Sequence, residues 1–453
     1  MKRVLLIVLF AVFLISVNLF AQNKNTFSLK EAMDYGLKNA YNNKTANLDY
    51  ESAKKKVKEI ITIGLPQINA GIDYNDFIQV PQVPLPESFS YLINSFMPPG
   101  SPPQKTMSFQ MEYNLNPKIN VSQIIFDGSY IMGLQASKIF QQFYAQGVKK
   151  SEIETRAAIA QSYYLVLVAN ENKKILSSTL EDLDKTLNET TQIQKNGFIE
   201  ETDVDQIKLL KLNLSNTLNK ITRQEQIAES LLKFQMGMKI DDNIILSDSL
   251  AGLLISNSSE EILQKNLELK NHIDYQMLTT NETLKNLNLK KEKFGYLPSL
   301  IAIFSYQQTT QNNTFNLLTS NAVWYPTTMW GLSLKIPVFD CGTKYFKIQQ
   351  AKLDIEKTKV QQIQLEEGLK MEVQTSKSNF SSALDTYKKE VDNKELANKI
   401  YSKTLIKYKN GVSSSLDLTQ AHNQYLTTEA NYCNSVFELL NAKTKLDKAL
   451  GNL

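Results

Sequence analysis

Two hydrophobic periods divide this chain. In its long proline-free tracts the apolar positions step by three and four. Val204, Ile207, Leu210, Leu214, Leu218 and Ile221 are one example, the spacing of a single helix face. In two short stretches the period drops to two. Across 109–122, Phe109, Met111, Tyr113, Leu115, Ile119 and Val121 alternate with Gln110, Glu112, Asn114, Asn116, Lys118, Asn120 and Ser122. Ile68, Ala70, Ile72 and Tyr74 alternate with Gln67, Asn69, Gly71 and Asp73, and Trp330, Leu332, Leu334, Ile336 and Val338 oppose Ser333, Lys335 and Pro337. Residues 300–306 are apolar on both faces. Period two is the pleat of a β-strand. All twelve prolines fall in these two islands, between Pro66 and Pro117 or between Pro298 and Pro337. Proline breaks helix interiors, so the tracts 118–297 and 338–453 read as helix, and each island reads as two strands joined by a polar loop, 82–105 or 307–324.

The helix ends are marked. Ser28 with Glu31 forms a capping box opening a first helix over 28–64, whose counterpart is expected to start near Glu260. Long helices are expected over 129–195 and 343–409. At 1.5 Å per residue each is on the order of 100 Å long and needs coiled-coil support along its length. The remaining helices are about half that long. The lengths therefore predict a barrel-like bundle, each long helix lying beside two half-length helices stacked end to end. The counterparts of the 204–221 stripe, Leu418, Ala421, Gln424, Thr428, Tyr432 and Ser435, are smaller or more polar, so the second copy is expected to face water or a lumen over part of its length.

The plan is stated twice. Lys195-Asn196-Gly197-Phe198, then Asp203-Val204 and Gln206, recurs 214 positions later as Lys409-Asn410-Gly411-Val412, then Asp417-Leu418 and Gln420. Upstream, Leu65-Pro66 matches Leu297-Pro298. The expected division is a first repeat over 22–239 with a β-hairpin at 66–127, a belt of short elements over 240–260, and a second repeat over 261–453 with a hairpin at 298–341. Two copies this long are a duplication and not a solenoid.

Composition narrows the class. Lys2 and Arg3 before the apolar run 4–20, then Ala21, read as a secretory signal over 1–21. The formal charge of +4 falls to +2 without it. Apart from Arg3, Arg156 and Arg223 the 50 basic residues are lysines interleaved with acids, a solvated helix surface and no nucleic-acid face. Cys341 and Cys433 are too few for a disulfide framework and are expected reduced; His272 and His422, on different helices, are expected at the surface. There is no phosphate loop, metal-ligand cluster or nucleophile motif, so no enzyme activity and no cofactor is expected.

For an exported chain, strands of about ten residues with Trp and Tyr near their ends suit an outer membrane, with the polar face toward a water-filled interior. Four strands cannot close a barrel in lipid. Three copies pool twelve; two give eight, with little room for a channel. An exported structural or adhesive coiled-coil protein is the alternative. A diffusion porin would need more strands and no such helices.

Several short matches now combine: Ser28-Leu29-Lys30-Glu31-Ala32, the Leu-Pro opening each island, the Phe126-Asp127-Gly128 and Phe339-Asp340-Cys341-Gly342 corners, and the two Gly turns. Together and in order they resemble the TolC-like outer membrane efflux protein family over essentially the whole mature length. The resemblance implies mainly α structure with membrane β: an α-barrel of antiparallel coiled-coil helices and a shared 12-stranded trimeric β-barrel. It implies a homotrimeric exit duct in the outer membrane, its helical part in the periplasm. The partners implied are a periplasmic adaptor, an inner-membrane RND or ABC transporter, and outer-membrane lipid. At the periplasmic tip it implies adaptor contact by Gly197, Phe198, Gln206, Gly411, Val412 and Gln420, and a tunnel constriction at Asp203, Asp417 and Tyr408; helix capping at the start of each returning helix is the alternative role for Asp203 and Asp417. Three copies would place six such carboxylates around one aperture. Ser413 stands where archetypal members carry an arginine, and Gln420 where they carry a second acid, which implies a smaller acidic ring.

Overall fold

The structure is a computed structural model that describes residues 26–257, 260–319 and 322–453; the signal reading over 1–21 lies outside the described residues. In chain order the elements are β1 (Thr26–Phe27), α1 (Leu29–Asn39), α2 (Tyr41–Ile63), β2 (Gln67–Asp76), β3 (Val83–Pro84), α3 (Glu87–Ser95), β4 (Thr106–Met107), β5 (Tyr113–Phe126), α4 (Gly128–Lys195), α5 (Glu201–Met236), β6 (Ile245–Leu246), α6 (Leu250–Asn257), two 3-10 turns (Glu260–Gln264 and Leu269–Asn271), α7 (Ile273–Phe294), β7 (Ser299–Asn312), β8 (Tyr325–Lys335), α8 (Thr343–Lys409) and α9 (Ser415–Ala449). The long helices α4 and α8 have 68 and 67 residues. By contacts the chain divides into a helical unit (to Glu51, Phe143–Thr279 and Lys359–Leu453) and a sheet unit (Ser52–Gln142 and Thr280–Thr358).

In the helical unit, α1 starts from the Ser28–Glu31 capping box. The Leu29 N–H also donates to Asp248 Oδ2 at 2.7 Å, and Tyr163 OH reaches the same carboxylate oxygen at 3.1 Å. These bonds tie the 240–260 stretch to the first helix, as does the parallel pairing of β1 with β6. The core there is built on Ala32, Ile159, Tyr163, Leu232, Met236 and Val436. A second apolar cluster, Leu183, Ile207, Leu210, Leu214 and Leu418, holds the lower turns of α4, α5 and α9. Along α4, Lys173–Glu225 (2.6 Å) and Lys211–Asp184 (2.5 Å) set the antiparallel register with α5. Earlier on α4, Ser151 Oγ donates to Asn43 Oδ1 of α2 at 2.6 Å.

Among the helices three expectations need correction. The first helix is not continuous over 28–64. It breaks at buried Ala40 (ψ 137°), where Gly237, at φ 74°, ends α5 against it. A Cβ on Gly237 would lie 2.2 Å from Asn39 O, so tertiary approach, and no residue with breaking propensity, sets the kink. Its counterpart does not start near Glu260 but at Ile273, after His272 adopts the same extended turn (ψ 128°). The histidines are not at the surface: His272 is 6% and His422 0% exposed. Both cysteines are free thiols, Cys433 buried and Cys341 exposed. The two counterpart stripes are buried to the same extent, Ile207, Leu210 and Leu214 in one and Leu418, Ala421 and Ser435 in the other; of the second stripe Gln424 alone is exposed.

In the sheet unit the four strands run in the order β2-β5-β7-β8, all antiparallel. The β5 strand starts at Tyr113 and not at 109, and β7 continues to Asn312, which shortens the second polar loop. The first loop holds its own small ribbon, β3 with β4, and the helix α3.

Candidate functional site

Two features of the chain have the makings of a site: the face of the sheet, and the pair of glycine turns. On the sheet, register brings like with like. Ile68 faces Val121, Ala70 faces Ile119 and Tyr74 faces Leu115; Val121 then faces Phe304, and Phe304 faces Trp330. One face is therefore apolar across all four strands. It is also bare: Ile68 is 70% and Trp330 78% exposed. An apolar face this continuous cannot be left to water. The other face carries Asn69, Asp73, Asn116, Lys118, Asn120 and Ser305, with Lys118 paired to Asp73 at 2.5 Å. Among the described residues the outer strands β2 and β8 each keep one unpaired edge. No described helix is long and apolar enough to cross a membrane.

The glycine turns lie at the far ends of α4 and α8. In each the chain ends a helix with the same two bonds. Gly197 N donates to Gln194 O and Phe198 N to Ile193 O; Gly411 N donates to Tyr408 O and Val412 N to Lys407 O. This is a Schellman motif, which needs positive φ at its glycine, and Gly197 (79°) and Gly411 (72°) supply it. Phe198 (80% exposed) and Val412 project into solvent beside them, and Gln420 is exposed as well.

Contacts inside the helical unit bring the two turns together. The Ser415 hydroxyl donates to Asp203 and lies 2.8 Å from Gln206 Oε1. The Tyr408 hydroxyl is 3.3 Å from Thr190 Oγ1, and Lys409 pairs with Glu189 at 2.8 Å. Burial, with the Asp203 carboxylate nearby, raises the Tyr408 phenol above its ordinary pKa. Of the residues named from sequence, Asp203, Gln206 and Tyr408 thus take part in one latch.

Asp417, the counterpart of Asp203, does something different. Its Oδ2 accepts from the Ser414 hydroxyl (2.8 Å), the Ser414 N–H (3.1 Å) and the Ser413 hydroxyl (3.1 Å). These bonds, Ser414 first, hold its carboxyl below the usual range. It closes a capping box on α9 with Ser414. Ser413 is therefore a donor to this cap. Asp203 is not part of such a box: Glu200, at the N-cap of α5, makes no side-chain capping bond among the described residues, its carboxylate accepting instead from the Thr202 hydroxyl at 3.2 Å. Sequence reasoning missed Ser415, Thr190 and the Lys409–Glu189 pair. Each partner is about 200 positions from the other and carries no local motif, so no pattern along the chain marks them.

Residues 276–452 match the profile of the family described as Outer membrane efflux protein. Among solved structures, CusC, described with transmembrane channel formation, matches with a TM-score of 0.70 at 14% identity, over 93% of this chain and 92% of that one. The Campylobacter jejuni CmeC outer membrane channel matches with a TM-score of 0.69 at 17% identity, over 95% of this chain and 86% of that one. The Vibrio cholerae outer membrane protein VceC matches with a TM-score of 0.67 at 13% identity, over 93% and 96%. At these identities the likeness is one of fold. No curated protein sequence matches.

Proposed function

We propose that this chain, whose residues 276–452 match the Outer membrane efflux protein family and which shares the fold of solved outer membrane channels, is a TolC-like efflux protein, three copies of which join through the free edges of β2 and β8 into one twelve-stranded barrel. The barrel spans the outer membrane with the apolar face in lipid and the polar face toward the lumen. The helical unit lies in the periplasm, its long helices pooled into a tunnel. The protein is a passive exit duct. An inner-membrane RND or ABC transporter supplies the energy and a periplasmic adaptor joins the two. Gly197, Phe198, Gln206, Gly411, Val412 and Gln420 form the tip that the adaptor meets. Asp203, with Tyr408 and Asp417, lines the constriction. The division into repeats at 22–239 and 261–453 with a belt at 240–260 is part of the same reading.

The observation that carries this is the bare apolar sheet face: lipid is the solvent that makes it stable, and lipid forbids an open edge. Closing the edges requires further copies, and the tilt and diameter of twelve strands leave a channel. Planar bilayers test it. Purified protein should insert and give discrete conductance steps, and Asp203→Asn should change their cation selectivity. Bilayers that stay silent would sink the duct; steps unaltered by Asp203→Asn would remove Asp203 from the constriction and leave the duct standing.

A further inference from the structure

The loop between β2 and β5 is built inside out. Its neck is closed by Phe77 N donating to Glu112 O (2.8 Å), by Leu85 N donating to Lys105 O (2.9 Å) and by the β3–β4 ribbon. Above the neck, α3 turns its polar side inward. Ser90 Oγ donates to Gln104 O at 2.8 Å, and Gln104 N donates to Asn94 Oδ1 at 2.7 Å. Ser90 and Asn94, four apart, thus fasten one side of the helix to the loop's own backbone. The opposite side carries Phe89, Leu92 and Phe96, at the i, i+3, i+7 spacing of one face, and all three are exposed, Phe96 by 83%. No residue of α3 is buried. A helix that stood in water would be docked the other way round.

Two observations say what covers that face. The first is charge. From 77 to 111 the only charged side chains are Glu87 and Lys105, so the loop is formally neutral and has no charged rim of the kind a protein partner would read. The second is continuity. The loop leaves the sheet between the end of β2 and the start of β5, where Tyr74 and Tyr113, both on the apolar face, pack edge-on against Phe315 at 6.1 and 5.7 Å. Aromatic rings at the end of a lipid-facing sheet mark the level of the membrane interface. We infer that α3 is an interfacial anchor. It lies on the outer surface of the membrane that the sheet spans, with Phe89, Leu92 and Phe96 in the boundary between headgroups and acyl chains and Ser90 and Asn94 toward the loop. Its ligand is a lipid surface, bound through apolar contact without a charge requirement.

The inference rests on the barrel reading above, and its test separates the two. The full mature chain is reconstituted into phosphatidylcholine vesicles, with and without bromine on the acyl chains, which quenches indoles in contact. One form keeps Trp330 as its only tryptophan through Trp324→Phe. The other carries Phe96→Trp with Trp324→Phe and Trp330→Phe. Both indoles should lose emission to bromine, since each is placed in contact with acyl chains. If Trp330 is quenched and the introduced indole is not, the anchor is wrong and the barrel stands. A blue-shifted unquenched emission would then mean cover by protein, and a red-shifted one exposure to water. If Trp330 itself is unquenched, the barrel reading fails and the anchor with it. Phe89→Trp in the same background repeats the measurement on the other end of the face should Phe96→Trp fail to fold.

Discussion

His422 gives the sharpest energetic prediction. It is fully buried on α9, and among the described residues neither of its ring nitrogens has a hydrogen-bond partner. The Tyr401 ring packs edge-on against it at 5.2 Å, and Tyr401 stacks in turn on Tyr425. Burial pushes its pKa from 6.5 down to about 4. The unfolded chain therefore takes up the proton first, and stability falls as pH falls from the unfolded value toward the folded one. With 1.36 kcal/mol per pH unit, the loss is about 2 kcal/mol per chain at pH 5 and about 3 kcal/mol at pH 4, against none above pH 7.5. His422→Leu keeps similar bulk, has no proton to gain and leaves no orphan nitrogen. Denaturant unfolding of the detergent-held protein, followed by circular dichroism from pH 8 to pH 4.5, measures the difference. The variant should match or exceed the parent at neutral pH and gain on it by about 2 kcal/mol at pH 5. His272, also depressed by burial, contributes to both curves and cancels. Parallel curves over the whole range would refute the reasoning.

Other substitutions probe the joints. Ser415→Ala leaves Asp203 and Gln206 without their donor; the latch should loosen, costing about 1–3 kcal/mol and raising single-channel conductance. Gly237→Ala must push a methyl into the Asn39 carbonyl at positive φ and should cost about 1–3 kcal/mol or more in unfolding free energy. Gly411→Ala, at similar φ but with open space around it, should cost about 1 kcal/mol. Lys409→Ala removes an ion pair exposed on both sides and should change stability by less than about 1 kcal/mol.

The long helices were legible nearly to the residue because proline is absent from them and a glycine marks each far end. The strands were legible because alternation survives at Pro117, which sits on the apolar face of β5 paired with Ile72. What could not be read is set by contacts at a distance. Ala40 favours helix, yet the chain breaks there because the end of α5 occupies the space. His422 follows Ala421 with nothing in the local pattern to mark it as buried. The tip was only half visible. Its glycines and aspartates announce themselves, but that Asp203 reaches across to Ser415 while Asp417 turns back to its own cap depends on which residues the fold sets opposite each other. The helix α3 was hidden for another reason: its apolar positions face outward, so a reading that assigns apolar residues to a core finds no element there.

Native mass spectrometry of the protein recovered from cell envelopes addresses the central claim most directly. A particle of three mature chains, found in the outer membrane fraction and released only by detergent, is the predicted result. A monomer that stays soluble in buffer alone would contradict it, because the face bearing Ile68, Phe304 and Trp330 would then have to be stable in water.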